Sequence, residues 1–322
     1  METGEQVIPP DFKTMPRLKP LSMLYIFIAV LLFGTLFIFS DQVIYPNGPL
    51  RSVGYLFLRF LLASVALGCF LIAKGDGPDI ITDFKENWKH LIPFTAVLHL
   101  VPLVIVFVAT SYTSGANQTI INNMNLSFVV FNKLIFYKVK PAKTMLLAVT
   151  INFLGVLLVL FPLSFDENSN LVGDLIMVFA VFLGSFFPMF NRKFAYYHKP
   201  MVLSFFMNFI PMLVLIPFMF AFNQGQAIAM LTGKQLFFMT WIGVGVSGIA
   251  YGLGNAAYKT DENLTGEVYS TFTTLIPVIG LLLSYFLFDD PIGFVNLGGA
   301  ILVTISLLLA VQSRKQREIA KK

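Results

Sequence analysis

The first long apolar run of the chain is LSMLYIFIAVLLFGTLFIFS, at residues 21–40. It contains no charged residue, and its length matches the about 20 helical residues that cross the hydrocarbon core of a bilayer. It is too long for the apolar part of a signal peptide and lacks a clean small-residue cleavage site, so we interpret it as a retained membrane span. Residues 1–20 are polar and rich in proline, which predicts a disordered lead.

A motif near the end of this run recurs later in the chain. Residues 34–37 read GTLF, and residues 184–187, which lie 150 positions further on, read GSFF. The same offset carries Phe136 to Phe286, Pro141 to Pro291 and Leu147 to Leu297. Because one offset serves both ends of the unit, we infer a duplication. Each copy has five apolar runs, an odd number, so the second copy must enter the membrane from the opposite side, as in many secondary transporters.

The composition is that of an integral membrane protein. Of the 322 residues, 57% are hydrophobic and only 12% are charged, and the mean hydropathy is +0.78. Soluble domains are usually about 25% charged. The single cysteine, Cys69, has no partner for an intrachain disulfide.

Ten runs have the length of a membrane span. They fall at residues 21–40, 53–73, 91–109, 115–136, 143–163, 171–190, 201–222, 235–257, 264–287 and 292–311. We therefore predict an all-α membrane protein of ten transmembrane helices. Two inverted five-helix repeats occupy residues 21–163 and 171–311, and a basic tail follows at residues 312–322.

Positive charges give the orientation. Nearly all Lys and Arg residues outside the runs fall on the two termini and on alternate loops, whereas the opposite set of loops holds only Arg51 and Lys234. By the positive-inside rule, both termini are cytoplasmic. The net charge of +5 therefore orients the chain against lipid headgroups, and we expect no nucleic-acid partner.

The fourth run is the most polar. Gln118, Asn122, Asn125 and Asn132 are spaced by 4, 3 and 7 residues, which places them on one helix face. Amides cannot be satisfied by lipid and must face protein or a wet cavity. Hydrogen bonds between helices would explain them, but a stripe along most of the span favours the wall of a cavity.

Two ionisable residues lie well inside other runs. Arg59, in the second run, could hold an anionic group, or it could form a structural pair with Asp41 or Asp174. His99, in the third run, could bind substrate or carry a proton, and is equally well explained as a packing residue. No second histidine or cysteine nearby completes a metal site.

Further candidate binding residues lie in the first, eighth and ninth runs: Thr35, Tyr251, Asn255, Tyr269 and Thr273. Gly248, Gly252 and Gly254 would let another helix approach the eighth span closely. Pro277, in the middle of the ninth run, frees a backbone carbonyl and can interrupt the helix.

Three segments resemble the drug/metabolite transporter superfamily, and in particular its EamA-type members. They are LLFGT at residues 31–35, RFLLA at 59–63, and LIPVIGLLLS at 275–284 followed by FDDP at 288–291. The chain departs from the family pattern where Asp289-Asp290 replaces a Gly-Glu pair. The first repeat departs further, with Ser127 in place of a mid-span proline and no acidic residue at its end.

The resemblance implies an inverted-repeat carrier whose central cavity is built from helices 1, 3, 4, 6, 8 and 9, with helices 5 and 10 more peripheral. The residues lead us to expect a secondary transporter of a small polar metabolite that works by alternating access in the plasma membrane, with export as one option. The resemblance implies an amino acid or a related compound as that metabolite. An antiporter of phosphorylated sugars or nucleotide sugars is one alternative, and a channel or membrane scaffold is another. We expect no enzymatic activity, no catalytic residues and no cofactor or metal; a homodimer is compatible with the sequence.

Overall fold

The chain folds into α-helices. The structure, a computed structural model, describes residues 18–45, 48–109, 112, 121–122, 124–138, 141–159, 171–288 and 293–319. Within these residues there is no strand, only an isolated bridge between Ile44 and Leu50. Seven helices in this part of the chain are long and apolar enough to cross a membrane, and three shorter apolar helices accompany them. These findings confirm the predicted all-α membrane protein.

We number the helices in chain order. The bounds are α1 Pro20–Gly34 and Leu36–Asp41, α2 Ser52–Lys74, α3 Gly77–Ala109, α4 Asn125–Tyr137, α5 Lys143–Val159, α6 Leu171–Tyr197, α7 Pro200–Ala221, α8 Gly233–Thr260, α9 Gly266–Thr273 and Ile276–Phe288, and α10 Phe294–Ile319. A short helix, Gln224–Ala229, joins α7 to α8. The three shorter apolar helices belong to α4, α5 and α10. Of the predicted disordered lead, residues 1–17 lie outside the described residues.

Several helix ends follow from local capping. Pro20 occupies the first turn of α1, where its missing N–H costs nothing. The N–H of Lys19 donates to the buried carboxylate of Asp261 at 2.7 Å, which ties the start of α1 to the end of α8. Gly75 ends α2 with a φ of 86°, a conformation that glycine adopts without strain. Thr232 and Gln235 form a capping box at the start of α8.

Two helices continue beyond the predicted spans. We expected the third span at residues 91–109, but α3 begins at Gly77, and we expected the sixth span at 171–190, but α6 continues to Tyr197. Charged residues in both extensions gave the appearance of loops. Charges do not end a helix, because Lys and Arg side chains can reach water from a helix end while the backbone stays hydrogen-bonded.

The offset of the sequence repeat recurs in the backbone. The helical path of α1 is interrupted at Thr35, and that of α6 at Ser185, 150 positions later. The π-helical segments Phe94–Leu100 of α3 and Trp241–Ala250 of α8 end at positions separated by the same offset. Irregular turns at such positions often mark functional sites or hinges. The two repeats therefore depart from regular α-helix at equivalent positions.

The interior has an apolar cluster towards each end. One contains Ile26, Leu71, Phe94 and Phe206. The other contains Phe39, Tyr55, Phe60, Phe107 and Phe238. The most extensive helix pair is α5 with α10, where a Cβ added to Gly155 would lie 2.8 Å from the backbone nitrogen of Val303. The cavity described below lies away from that pair.

Candidate substrate cavity

A cavity of about 270 Å³ lies among the helices. Its walls come from α1, α2, α3, α4, α6, α8 and α9, and none of its lining residues belongs to α5, α7 or α10. The helices that the family resemblance implies therefore line the cavity, and α2 lines it as well. Both halves of the chain contribute to the walls.

Arg59 enters the cavity from α2. Its side chain is only 1% exposed, and its Nε donates a short hydrogen bond to Oγ of Ser247 on α8. Its two terminal nitrogens are buried beside the hydroxyl groups of Tyr55 and Tyr251, which interact with the guanidinium group, but they make no well-formed hydrogen bond with a described residue. α8 can come this close because residue 243 is glycine: a Cβ there would lie 2.6 Å from Cβ of Leu62.

The structural pair suggested for Arg59 is not found. Among the described side chains, no carboxylate is hydrogen-bonded to its guanidinium group, which leaves Asp174 out of such a pair. The side chain of Asp41 is outside the described set. The hydroxyl group of Ser247 therefore binds the guanidinium group of Arg59, for which the sequence had suggested an aspartate partner.

His99 lies behind this part of the wall, in the π-helical segment of α3. Its ring packs between Phe187, at 5.0 Å, and the edge of Tyr251, at 5.1 Å between ring centroids. It is 4% exposed, and its Nε2 has no partner among the described residues. Tyr251 itself lines the cavity, whereas His99 supports Tyr251 from behind.

The amides of the fourth predicted span have two different roles. Asn122 and Asn125 line the cavity, and Nδ2 of Asn122 and Oδ1 of Asn125 are unpartnered among the described residues. Asn132 is fully buried and donates from Nδ2 to Oγ of Ser185 at 2.7 Å, so it joins α4 to the break in α6, while its Oδ1 has no partner among the described residues. For Asn132 the structure thus shows the hydrogen bond between helices that the sequence had left open, and the residue does not line the cavity. Gln118 lies outside the described residues.

The cytoplasmic end, by the predicted orientation, carries polar groups of α6, α8 and α9. The rings of Tyr258 and Tyr269 stack at 5.2 Å. Asn191 donates from Nδ2 to Oδ1 of Asn255 at 2.9 Å. Of the predicted residues, Tyr269 and Thr273 line the cavity, and Asn255 lies behind Asn191. Gly254 permits the approach of Tyr269, whose hydroxyl would be 2.7 Å from an added Cβ.

Thr35 lies at the break in α1, behind the wall. Its Oγ1 donates to the carbonyl of Leu32 at 2.7 Å and accepts from the indole Nε1 of Trp241 at 2.9 Å. The hydroxyl is therefore used within the protein, between the two repeats. A second interruption, in α9, lies at Thr274–Leu275, and Pro277 follows in the first turn of the new helical segment.

The structure brings six of the predicted residues to the cavity surface: Arg59, Asn122, Asn125, Tyr251, Tyr269 and Thr273. Sequence reasoning missed Asn191, which also lines it. Asn191 precedes Arg192 and Lys193, and those two charges suggested a loop. Ser270 and Thr274, polar residues of the ninth run beside the predicted Tyr269 and Thr273, line the cavity as well.

These observations define a helical membrane protein with a largely apolar cavity between two repeats that carries a few buried polar groups, and comparisons with known proteins give its family. Models of the EamA-like transporter family match residues 20–161 and 171–312. The chain belongs to this family, and it does so through both repeats. It is therefore an integral, multi-pass membrane transporter.

Two further comparisons agree with this assignment. A protein of Archaeoglobus fulgidus described as an uncharacterized transporter is 22% identical over 266 residues, which are 81% of this chain and 88% of that protein. A solved structure titled only as the crystal structure of a protein matches with a TM-score of 0.74 and 14% identity, over 92% of this chain and 98% of the other. At that identity the structural match concerns the fold alone.

Proposed function

We propose that this protein is a secondary carrier that moves a small polar metabolite, an amino acid or a related compound, across the plasma membrane by alternating access. The proposal includes ten membrane spans in two inverted repeats with cytoplasmic termini, and export is one direction open to it. The observation that carries it is the buried guanidinium group of Arg59, which belongs to the lining of a cavity built from both repeats and whose two terminal nitrogens make no well-formed hydrogen bond among the described residues. A group of this kind binds carboxylates well.

Contacts between the repeats at the two ends suggest what would open. At the cytoplasmic end, Lys19 of the first repeat bonds to Asp261 of the second. At the other end, Trp241 bonds to Thr35. Rocking of one repeat against the other would break one set while the other holds, which is the usual course of alternating access in inverted-repeat carriers.

Uptake into proteoliposomes tests the proposal. A carrier would show saturable, stereoselective uptake across a panel of amino acids and small carboxylates. Asn122→Leu and Asn125→Leu should each lower uptake at limiting substrate by about three- to tenfold, the worth of one or two hydrogen bonds. Asn87→Leu, on the cytoplasmic extension of α3, is the matched control. Unaltered uptake in both cavity variants would remove the cavity from the transport path.

The structure disfavours the phosphorylated-sugar alternative. Such substrates need several cations, and Arg59 is the only charged side chain that lines the cavity among the residues described. The volume of about 270 Å³ also lies just below the usual range for drug-sized ligands, about 300–1,000 Å³. Strong inhibition by inorganic phosphate would reverse this preference. Flux without saturation would favour a channel, and absence of flux would favour a scaffold.

A further inference from the structure

We propose that the cavity selects a monoanionic carboxylate with an apolar body and no ammonium group, such as a 2-oxo acid, over the amino acid of the same carbon skeleton. This inference rests on the proposed carrier function and makes its substrate class specific. It comes from the balance of charge in the cavity, from the geometry of Arg59, and from the chemistry of the remaining wall.

The described lining side chains carry one positive charge and no negative charge. Arg59 supplies the positive charge, and its described neighbours, the hydroxyl groups of Ser247, Tyr55 and Tyr251, are neutral and do not compensate it. A charge removed from water is costly unless it is paired. A bound monoanion brings the charge of the described lining and ligand together to zero. A zwitterion leaves this sum at one positive charge, and a dianion leaves it at one negative charge.

The geometry of Arg59 favours a carboxylate. Ser247 accepts the hydrogen bond from Nε, and the two terminal nitrogens form a planar fork that lies beside the hydroxyl groups of Tyr55 and Tyr251 without a well-formed hydrogen bond to a described residue. A carboxylate can accept one hydrogen bond from each of them, the bidentate arrangement that arginine forms best. Because Arg59 is 1% exposed, solvent gives little screening to that pair.

The other polar groups in the wall are neutral. Nδ2 of Asn122 is an unpartnered donor that suits a keto oxygen. Oδ1 of Asn125 and Oδ1 of Asn191 could accept bonds from an ammonium group, but neutral acceptors cannot balance its charge. Phe33, Phe107 and other apolar side chains form much of the remaining surface, which suits an aromatic or branched aliphatic body.

Two pairs of compounds test the effect of the ammonium group. In the first pair the ammonium group is absent from one compound, and in the second pair a keto oxygen replaces it. We would compare 3-phenylpropanoate with L-phenylalanine, and 4-methyl-2-oxopentanoate with L-leucine, by calorimetry and thermal shift on the full-length purified protein, and by uptake into proteoliposomes. In each pair the acid without the ammonium group should bind at least about tenfold more tightly than the amino acid. A tenfold difference in affinity is a modest value for the cost of leaving one buried charge unpaired.

Variants of Arg59 connect the preference to the proposed group. Arg59→Gln should lower binding of both acids at least about tenfold and abolish the preference over the amino acids. Arg59→Lys keeps the charge but not the fork, so it should retain part of the preference. Thr150→Val, on α5 away from the cavity, is the control. The comparison within wild-type protein needs no variant, so poor folding of an Arg59 variant would leave that test intact.

The outcomes separate the inference from the carrier proposal. Equal or tighter binding of the amino acids overturns the inference, as does acid binding that is unchanged in a folded Arg59→Gln protein. Saturable uptake of amino acids without binding of either acid overturns the inference and leaves the carrier standing. If neither the four compounds nor any other member of the panel of amino acids and small carboxylates shows saturable uptake, both the inference and the carrier proposal are overturned.

Discussion

Gly34 of α1 faces Ile279 of α9 so closely that a Cβ at position 34 would lie 2.8 Å from Cβ of the isoleucine. Its counterpart in the second repeat, Gly184, is less constrained: a Cβ there would meet Pro102 at 3.6 Å, an ordinary contact. The repeated glycine is thus a requirement of packing in the first repeat only. The two halves share the motif but place different neighbours against it.

This difference predicts opposite effects for the same substitution. Gly34→Ala should destabilise the protein by about 1–3 kcal/mol, the usual cost of overpacking. Gly184→Ala should leave stability unchanged or raise it slightly, because alanine is the better helix former by up to about 1 kcal/mol. Thermal unfolding of the two variants in detergent measures both effects. Equal destabilisation would show that α1 and α9 do not meet as described.

The hydroxyl of Ser247 should act by positioning Arg59. Ser247→Ala removes the bond that orients the guanidinium group, and it leaves the charge in place. We expect KM for an anionic substrate to rise by about tenfold, within the 1.5–3 kcal/mol of a hydrogen bond to a charged group, with a smaller change in kcat. Ser64→Ala is the control, because Ser64 is buried on α2 and bonds only to the carbonyl of Phe60. A similar rise in KM in both variants would contradict a specific positioning role.

Two threonines give a matched test of the cavity wall. Thr273 lines the cavity and bonds through Oγ1 to the carbonyl of Ser270, while Thr150 is exposed on α5 and bonds in the same way to the carbonyl of Leu146. Thr273→Val should raise KM about two- to tenfold through the loss of one hydrogen-bonding group to the substrate. Thr150→Val should leave transport unchanged. Uptake kinetics in proteoliposomes compare the two, and identical kinetics would exclude Thr273 from the site.

The sequence was sufficient to predict the helices, because the length of an apolar run is fixed by the thickness of the bilayer. It was insufficient for the extensions of α3 and α6, where charged residues continue a helix into the aqueous region. It was also insufficient for Asn132, since the residue that accepts its hydrogen bond, Ser185, lies 53 positions away on another helix. Spacing predicts which side chains share a face, but not what that face contacts.

For the candidate site, too, the sequence identifies a residue, Arg59, but not the residue that it contacts. An arginine inside a span can be recognised from the sequence as a functional candidate, because its charge is costly there. Its partner cannot be recognised, because Ser247 lies among small residues of α8 that suggested only close helix packing. The guanidinium fork, on which the substrate class depends, became visible only when the fold brought α2 and α8 together.

The last prediction concerns the end of the molecule that the positive-inside rule predicts to be cytoplasmic, where Lys199 joins the turn between α6 and α7 to the start of α3. Its Nζ donates to Asp76 at 2.9 Å and to Asp79 at 2.6 Å. The hydrogen bonds from Lys199, and then from Lys74, hold the pKa of Asp76 below its ordinary value of 3.8. A lowered carboxyl pKa stabilises the folded state above pH 3.8, and this contribution disappears as the pH falls through the pKa of the folded state.

Lys199→Met should therefore lower the unfolding temperature at pH 7 by a small amount, because the pair is exposed to solvent and screened. The difference from the wild type should shrink as the pH falls below 3.8 and through the lowered pKa of Asp76, since both proteins then carry protonated aspartates. Lys193→Met, on the exposed face of α6, is the control with the same change of charge. Thermal unfolding in detergent between pH 7 and about pH 2 gives the comparison. A difference that stays constant over this range would show that Lys199 contributes through packing of its side chain and not through its charge.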